Sequence, residues 1–578
     1  MPPLSTFSAE VGSEKPSGGD WAKAHRRARW RRRAPLIVVA VIAFAVGIVV
    51  GSRAGRAERA LVVQYVHDWV HGHYGGMYRL LDSASRERVS VTAFTAAYEQ
   101  DARTATLIRL ATLHVGSFHD NVIDVTMRAR TRLFGPLREQ LIVPLDETPS
   151  GPAVRFAGTL LFPGLRPGEK LRRLDTLAPR ASLLAENGTP LAEGPNRTSP
   201  IPTVASEITG VLGPIPADEA STYAALGYPA GAKVGQDGLE RVFERDLAGT
   251  PGGTLFAGRR ILAHAAPIPG HSVTTTIDPG LEAAAIQALG GSFGGIAVMD
   301  PRTGAIRALA GVAFSAVQPP GSTMKIITAT AALQAGIVSL GTVFPYATSA
   351  TLDGYTLQNA NGEDCGGTLL NAFAVSCNSV FAPLGARLGA QRLVAMAQRF
   401  GFDQPSNIPG AAESTIPSAS TIGDSLAVGS SAIGQGKVQA SALAMTDVAA
   451  TIAMGGRRPI PTLLAGAPPQ FVTVTTPHVA ALVQRMMIAV VEFGTGTAAQ
   501  IPGVVVAGKT GTAELVDTAA PNNPNANSAK NTDAWFVGYA PAGAPRIVAG
   551  ALFPNQGAGG GTAAPAIQQV LVAGLHQH

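Results

Sequence analysis

Residues 320–325 read Pro-Gly-Ser-Thr-Met-Lys and open an apolar helical pattern that continues through Ile327 and Leu333. Ser322 and Lys325 are three residues apart, so a helix places them on one face. A serine in the first turn also meets free backbone N–H groups and the positive end of the helix dipole, which favour a developing anion. Serine is a poor nucleophile without a base, and Lys325 can be that base only if burial or a neighbouring cation keeps its amine neutral. Alone, the Ser-x-x-Lys pattern is too common to indicate a function.

Two further motifs follow in the chain. Ser376-Cys377-Asn378 lies in the helix-rich stretch 369–388 and supplies a hydroxyl for proton relay and an amide that can hold Lys325. Lys509-Thr510-Gly511-Thr512 lies at the end of a strand-like run over 504–507. Its lysine offers a cation for a carboxylate, its threonine hydroxyls can bind that carboxylate, and its glycine permits close approach to the backbone. Three motifs in this order are specific for serine acyl-transfer chemistry.

The region around these motifs has the pattern of an antiparallel sheet covered by helices. Residues 295–300 and 305–310 are strand-like and are separated by Pro301-Arg302-Thr303-Gly304, which predicts a hairpin. Residues 535–539 and 546–553 predict two more strands, and a helical pattern follows over 563–575. Strands from both ends of one domain therefore share a sheet, with helical segments between them.

The motif set resembles the penicillin-binding proteins, the penicilloyl serine transferases that also include the serine β-lactamases. Residues 431–436 (Ser-Ala-Ile-Gly-Gln-Gly) and 534–539 (Ala-Trp-Phe-Val-Gly-Tyr) are similar to further segments of that family. Met324 and Ile326 depart from its pattern, which usually has Phe and Pro there. The resemblance begins near residue 271 and implies a β-lactamase/transpeptidase-like domain over 271–578.

The resemblance also implies roles for individual residues. Ser322 would attack the penultimate D-Ala carbonyl of a peptidoglycan stem peptide ending in D-Ala-D-Ala, and an amine of a neighbouring stem would resolve the acyl-enzyme. A β-lactam would acylate the same serine. Backbone N–H groups of Ser322 and Thr512 would form the oxyanion hole, and neither a metal nor another cofactor is expected. The implied catalytic residues are Ser322, Lys325, Ser376, Asn378 and Lys509, and the implied substrate-binding residues are Thr510, Gly511 and Thr512.

The amino-terminal sequence predicts a membrane anchor. Residues 34–51 carry no charge over a length that is about the minimum for a transmembrane helix, and six of the eight residues 26–33 are Arg. Basic flanks stay cytoplasmic, so 1–33 is expected to be a cytoplasmic tail and the bulk of the chain to lie outside the cell membrane. The net charge is +6, but residues 1–33 hold eight Lys or Arg and only three Asp or Glu. The folded part is therefore nearly neutral, which argues against nucleic-acid binding.

Two modules are predicted between the anchor and the transpeptidase region, giving a multidomain α+β protein. Residues 56–169 combine a helical pattern up to Leu110 with strand-like segments, and 69–81 resemble the nuclear-transport-factor-like domain of methicillin-resistance-type members. This domain is expected to be small, cone-like and α+β. Residues 171–269 are rich in Pro and Gly and predict an extended pedestal or dimerisation module, with 234–240 similar to the family and 180–186 departing from it. No glycosyltransferase domain is apparent before this module, which implies a class B, transpeptidase-only protein.

Several alternatives stay open at this point. A D,D-carboxypeptidase or serine β-lactamase shares the nucleophile but delivers water, and a catalytically weak cell-wall scaffold is a third class. Cys365 and Cys377 are either disulfide-bonded or two buried thiols, because the bond depends on geometry. Residues 503–510 literally match a phosphate-binding loop, but their apolar interior favours a strand. The family resemblance also suggests a membrane glycan polymerase as a partner.

Overall fold

The protein forms two compact units in the computed structural model, which describes residues 55–514 and 531–576. The basic tail predicted over 1–33 and the membrane helix predicted over 34–51 lie outside the described residues. Among the residues that are described, none of the helices combines the length and the apolar character needed to cross a membrane. The first unit contains residues 55–175, 225–227 and 253–265, and the second contains 176–224, 228–252 and 266–576.

The first unit begins with helices that pack on an antiparallel sheet of strand order β1-β2-β3-β4. The helices end at Thr104 and β1 starts at Leu107, so the predicted helical region is shorter than expected. Tyr65 and Tyr98 are buried in the core of this unit, and their hydroxyls lie 2.6 Å apart. In chain order the elements are α1 (Arg56–Val70), α2 (Tyr74–Arg79), α3 (Ser83–Arg88), α4 (Val91–Thr104), β1 (Leu107–His119), β2 (Val122–Thr131), β3 (Gly135–Thr148) and β4 (Gly151–Val154).

The segment predicted as one extended module over 171–269 is shared between the two units. A three-stranded sheet of order β11-β10-β5 falls almost wholly within the first unit, and the shorter elements fall mainly within the second. These elements are β5 (Leu171–Thr176), β6 (Leu183–Leu184), β7 (Pro190–Ala192), α5 (Pro202–Ile208), β8 (Leu212–Pro214), α6 (Ala220–Leu226), β9 (Lys233–Gly235), α7 (Gly238–Val242), α8 (Glu244–Ala248), β10 (Gly252–Ala257), β11 (Arg260–Ala265) and β12 (Val273–Thr274).

A buried ion cluster holds the part of this segment that belongs to the second unit. Glu240 is 1% exposed, and its carboxylate accepts hydrogen bonds from Arg180 Nε at 2.7 Å and Arg197 Nε at 2.6 Å. Arg180 also donates to Glu244 at 2.8 Å. Because an unpaired buried charge is strongly destabilising, removal of any one of these four side chains should destabilise this region.

The remainder of the second unit is built on an antiparallel five-stranded sheet of order β14-β13-β23-β22-β21. Helix α9 contacts β13 and β14, and α17 contacts β22 and β23. Helix α15 contacts β13, β22 and β23. Asp278 caps the amino terminus of α9. The elements are α9 (Pro279–Leu289), β13 (Gly295–Asp300), β14 (Ala305–Gly311), α10 (Lys325–Gln334), β15 (Val343–Ala347), β16 (Ser349–Leu352), β17 (Tyr355–Gln358), β18 (Cys365–Thr368), α11 (Leu369–Ala374), α12 (Asn378–Leu388), α13 (Ala390–Arg399), α14 (Ser425–Ala432), α15 (Ala442–Ala453), β19 (Arg457–Pro459), β20 (Phe471–Thr473), α16 (Pro477–Glu492), β21 (Ala507–Glu514), β22 (Thr532–Ala540), β23 (Ile547–Phe553) and α17 (Ala563–His576).

The strands and the terminal helix predicted for this sheet are present, but one strand boundary was wrong. The prediction placed a strand at 504–507 with the Lys-Thr-Gly-Thr motif at its end. The strand instead begins at Ala507 and runs through the whole motif, pairing from Ala507 opposite Tyr539 to Glu514 opposite Thr532. Lys509 is therefore a mid-strand residue, and residues 503–510 do not form the turn that a phosphate-binding loop requires.

Candidate active site

Ser322 lies in a 3-10 turn, Gly321–Met324, that leads directly into α10. Gly321 has a φ of +52°, and its N–H donates to the carbonyl of Gly434 at 2.9 Å. A Cβ added at Gly321 would lie 2.9 Å from the backbone of Thr512, so the turn is fitted tightly against β21. Glycine is needed here for both reasons. The result is that half-buried Ser322 borders a cleft of about 250 Å³ together with Ser376, Asn378, Thr510 and Thr512.

Lys325 is the first residue of α10 and its side chain is completely buried. Its Nζ donates to the backbone carbonyl of Ser376 at 2.6 Å and to Asn378 Oδ1 at 2.7 Å, and lies 3.2 Å from Ser376 Oγ. The second motif thus surrounds the lysine of the first, as the sequence predicted. Met324 and Ile326, which depart from the family pattern, are fully buried in the core and do not border the cleft.

The second motif occupies the connection between α11 and α12. Ser376 has a φ of +64°, an unusual conformation for a non-glycine residue that is favoured when surrounding contacts fix it. Cys377 is disulfide-bonded to Cys365 in β18, with the two Cα atoms 5.8 Å apart. The bond ties the loop that carries Ser376 and Asn378 to the strand beside it, which resolves the question that the sequence left open.

Lys509 of the third motif approaches the same hydroxyl from the sheet. Its Nζ donates to Ser376 Oγ at 2.9 Å and to the carbonyl of Thr510 at 3.0 Å. Its side chain is fully buried and does not border the cleft, which Thr510 and Thr512 do. Gly511 packs tightly beneath them, since an added Cβ would lie 2.8 Å from the carbonyl oxygen of Pro320. Lys509 therefore acts on the cleft through Ser376 and Thr510.

Burial lowers the pKa of both lysines, and Lys509 lowers that of Lys325 further. Burial, followed by the charge on Lys509, lowers the pKa of Lys325 well below its ordinary value of 10.5. Burial also lowers the pKa of Lys509, to about 7. Desolvation disfavours an ammonium ion and a second nearby cation does so further. A neutral amine at Lys325 uses two N–H groups for its two shortest contacts and keeps a lone pair that can accept a proton.

Three contributors to the site carry no recognisable sequence motif. The carbonyl of Gln358, at the end of β17, accepts a hydrogen bond from Asn378 Nδ2 at 2.9 Å and so orients that amide. Asn359 is buried and donates to the carbonyls of Ala347 and Glu363, which fixes the cleft wall. The hydroxyl of Thr495 hydrogen-bonds that of Thr510. Backbone contacts and isolated polar residues have no periodicity, so only the fold could reveal them.

The described residues, 55–514 and 531–576, contain no group of three or more His, Cys, Asp or Glu side chains that could hold a metal ion. The polar atoms that converge on the cleft are instead hydroxyls, an amide and two amines. This set is suited to moving a proton between a serine hydroxyl and a leaving group, because each member can donate or accept within hydrogen-bond reach.

Two family models match the chain. Residues 294–572 match the model described as the penicillin binding protein transpeptidase domain, and residues 185–262 match the penicillin-binding protein dimerisation domain. The first match contains all three motifs of the cleft. The second begins just after β6, ends within β11 and includes Arg197, Glu240 and Glu244 of the ion cluster but not Arg180.

Individual relatives and solved structures agree with these matches. The peptidoglycan D,D-transpeptidase PbpA of Mycobacterium tuberculosis is 32% identical over 370 residues, covering 53% of this chain and 73% of the relative. The structure of penicillin-binding protein A from M. tuberculosis as a penicillin G acyl-enzyme is 28% identical with a TM-score of 0.55, covering 69% of this chain and 100% of that one. Pseudomonas aeruginosa PBP2 in complex with WCK 5153 is 25% identical with a TM-score of 0.60, covering 70% and 96%. The chain therefore belongs to the class B penicillin-binding proteins, with a transpeptidase domain and a penicillin-binding-protein dimerisation domain.

Proposed function

We propose that the protein is a peptidoglycan D,D-transpeptidase that cross-links stem peptides through an acyl-enzyme on Ser322. The observation that carries this proposal is the chain of contacts from Lys325 through Ser376 to Lys509, in which two buried lysines meet at a hydroxyl that borders the cleft. The relatives named as peptidoglycan D,D-transpeptidases support the substrate class, a stem peptide ending in D-Ala-D-Ala.

In the first half-reaction, neutral Lys325 takes the proton of Ser322 as its Oγ attacks the penultimate D-Ala carbonyl. Backbone N–H groups of Ser322 and Thr512 stabilise the oxyanion, a contribution of about 10²–10³ in rate for one donor. The C–N bond then breaks, and the proton passes from Lys325 through the Ser376 hydroxyl to the departing amine of D-Ala. Asn378 holds Lys325 in place, while Lys509 supplies positive charge that acts on the terminal carboxylate through Thr510.

In the second half-reaction an amine of a neighbouring stem peptide attacks the ester, gives up a proton along the same route and releases Ser322. A β-lactam uses the first half-reaction alone. Opening its ring leaves the amine attached to the acyl group, so nothing departs to admit the acceptor. The acyl-enzyme structures of the M. tuberculosis protein with penicillin G and imipenem support this proposal for the present chain.

Acylation by benzylpenicillin tests the nucleophile directly. The full chain in detergent is incubated with the drug and its intact and peptide masses are followed over time, with Ser322→Ala as the test variant and exposed Ser420→Ala as the matched control. A stable adduct on the peptide containing Ser322, present in the control and absent from the test variant, is expected. Rapid loss of drug that depends on Ser322, without an adduct, would assign a β-lactamase instead, and neither adduct nor drug loss would favour a scaffold.

We also propose that residues 34–51 anchor the protein in the cell membrane, with 1–33 in the cytoplasm and the rest outside. The uncharged run and its basic flank support this orientation. Alkaline phosphatase fused at residue 576 should be active and the same enzyme fused before residue 34 inactive. The reverse pattern, or activity at both positions, would refute the orientation.

The first unit supports a nuclear-transport-factor-like assignment for 56–169, because helices α1–α4 precede and pack on a four-stranded antiparallel sheet.

We propose a membrane glycan polymerase as partner, since a transpeptidase-only enzyme needs newly made glycan strands. A complex that copurifies with the full chain and is lost when residues 1–51 are deleted would support it, and failure to copurify with the full chain would refute it.

A further inference from the structure

Four arginines form a compact cluster on the outward face of the first sheet, here called the arginine face: Arg109, Arg128, Arg130 and Arg138. All four are exposed. The strand register places Arg109 of β1 directly opposite Arg130 of β2, and Arg128 of β2 directly opposite Arg138 of β3. Arg128 and Arg130 are two residues apart on one strand, so they share a face. The four side chains thus begin within about 5–7 Å of their neighbours.

No acidic side chain neutralises this cluster within the part of the chain that the structure describes. None of the four arginines has a carboxylate within the 4.0 Å that defines an ion pair. Asp124, the acidic residue nearest along β2, is paired with His119 at 3.5 Å. Glu139 is next to Arg138 in sequence but points to the opposite face, opposite Met127 in the core. The register places Ala111, Thr126, Pro136 and Gln140 at the adjoining positions of this face.

Like charges placed directly opposite each other on a sheet are destabilising, and this face contains two such pairs in adjacent rungs. A structural role does not account for them, because an exposed sheet face is equally well made from neutral or mixed charges. A ligand that neutralises several guanidinium groups at once does account for them. Arginine binds phosphate and carboxylate through two parallel N–H···O bonds, and all four cations here are Arg, none Lys.

We propose that the arginine face binds a linear polyanion that carries closely spaced phosphate groups. Four cations spread over three neighbouring strands, each about 5–7 Å from the next, require at least two anionic groups in a row, which a phosphodiester or polyphosphate chain supplies and a single small anion does not. This site belongs to the first unit and uses none of the residues of the cleft, so it is separate from the proposed acyl transfer.

The position of the face on the sheet favours a polymer over the surface of the membrane. Gly55, which precedes α1 and lies closest to the predicted anchor, packs at Phe118, where an added Cβ would be 3.0 Å from the Phe118 Cβ. Arg109 is nine residues away along the same strand, which is about 30 Å at the usual rise. The arginine face therefore lies at the end of β1 remote from Gly55, the described residue nearest in sequence to the predicted anchor.

The test uses the full chain reconstituted in nanodiscs, one set of zwitterionic lipid and one containing phosphatidylglycerol. Binding of fluorescent linear polyphosphate is measured by anisotropy between 50 and 300 mM salt (roughly the range where phosphate contacts weaken steeply). The test variant is Arg109→Gln/Arg130→Gln. The matched control is Arg392→Gln/Arg399→Gln, which removes the same charge from exposed positions on α13. Poly-glutamate of equal charge serves as the carboxylate probe.

Wild type and the control are expected to bind polyphosphate in both nanodiscs, and the test variant about tenfold or more weakly. The slope of log Kd against log salt concentration should be smaller by about 2 in the test variant than in the wild type, because each of the two replaced arginines removes one phosphate contact. Its melting temperature should not decrease, because one repulsive pair is removed. Unchanged binding in the test variant would overturn the proposal. Equal affinity for poly-glutamate would overturn the choice of phosphate, and loss of polyphosphate binding in phosphatidylglycerol nanodiscs would assign the face to the membrane.

Discussion

The charge on Lys509 should set the upper pH limit for substrates that end in a carboxylate. Lys509 is fully buried in β21, and burial lowers its pKa from 10.5 to about 7. Its charge reaches the cleft through Thr510 and Ser376, to which its Nζ donates. Raising the pH removes that charge from the free enzyme while leaving the hydroxyls in place. The loss should be selective for ligands that carry a negative charge at that end.

The expected size follows from the pKa. A lysine with a pKa of about 7 is about 90% charged at pH 6, about 10% at pH 8 and about 1% at pH 9. Because kcat/KM reports the ionisation of the free enzyme, it should fall by up to about 100-fold between pH 6 and pH 9. Lys325 limits the acidic side instead, since its amine must be neutral and its pKa is lowered by burial and by Lys509.

The assay is the pH profile of kcat/KM for acylation, measured with a depsipeptide thioester that ends in a free carboxylate and with its carboxamide analogue. The profile of the carboxylate substrate should descend above pH 7, and that of the analogue should not. Lys509→Ala should make the two profiles parallel. If both substrates lose activity together in the wild type, the descent comes from another group and the assignment of Lys509 is wrong.

Three further perturbations test the fold and the loop that carries the second motif. Gly434→Ala places a Cβ 2.1 Å from the carbonyl oxygen of Gly321, which precedes the nucleophile, so it should cost about 1–3 kcal/mol of stability and slow acylation. Gly436→Ala, whose Cβ would have nothing within 4 Å, should cost less. Equal effects of the two substitutions would contradict the close approach at Gly434. Burial raises the pKa of Glu282 from 4.5 to about 8, so its contribution to stability is complete below pH 4.5 and is lost as the pH rises through 8. Glu282→Gln should therefore match the wild type in urea unfolding at pH 5 and exceed it at pH 9 by up to about 5 kcal/mol, and no gain at pH 9 would refute a buried carboxylate. The disulfide links two cysteines that are 12 residues apart, so a Cys365→Ser/Cys377→Ser variant should lose about 2–3 kcal/mol of folding stability. A thiol reductant should slow acylation of the wild type but not of this variant.

The elements that sequence patterns predicted well are those whose pattern is local. The hairpin over 295–311 has short apolar runs on either side of a turn with Pro and Gly, and the structure forms β13 and β14 there. The three motifs were expected to converge, and Lys325 Nζ and Lys509 Nζ do meet at Ser376. The roles of these residues in catalysis stay predictions until the acylation experiment is done.

The parts that could not be predicted depend on long-range contacts. Val505 has strong β propensity, yet it is 52% exposed and lies before the strand, because pairing with β22 begins only at Ala507. Ser376 has its positive φ where two lysines and a disulfide meet, and none of these contacts is local in sequence. Gln358 enters the site through its carbonyl, which every residue has, so its identity carries no signal.

Among the described residues, the strand that carries Lys509 is the last one in its sheet, since β21 pairs there with β22 on one side only. The turn that carries Ser322 packs against this strand, and Thr510 and Thr512 border the cleft. We expect an extended chain that enters the cleft to pair with the strand backbone there, without regard to its own side chains. Exposed edges also invite pairing with other folded proteins, but this one borders a narrow cleft that admits only a slender chain. We therefore expect the protein to tolerate variation in the side chains of the donor stem and to discriminate by its backbone, its stereochemistry and its free end.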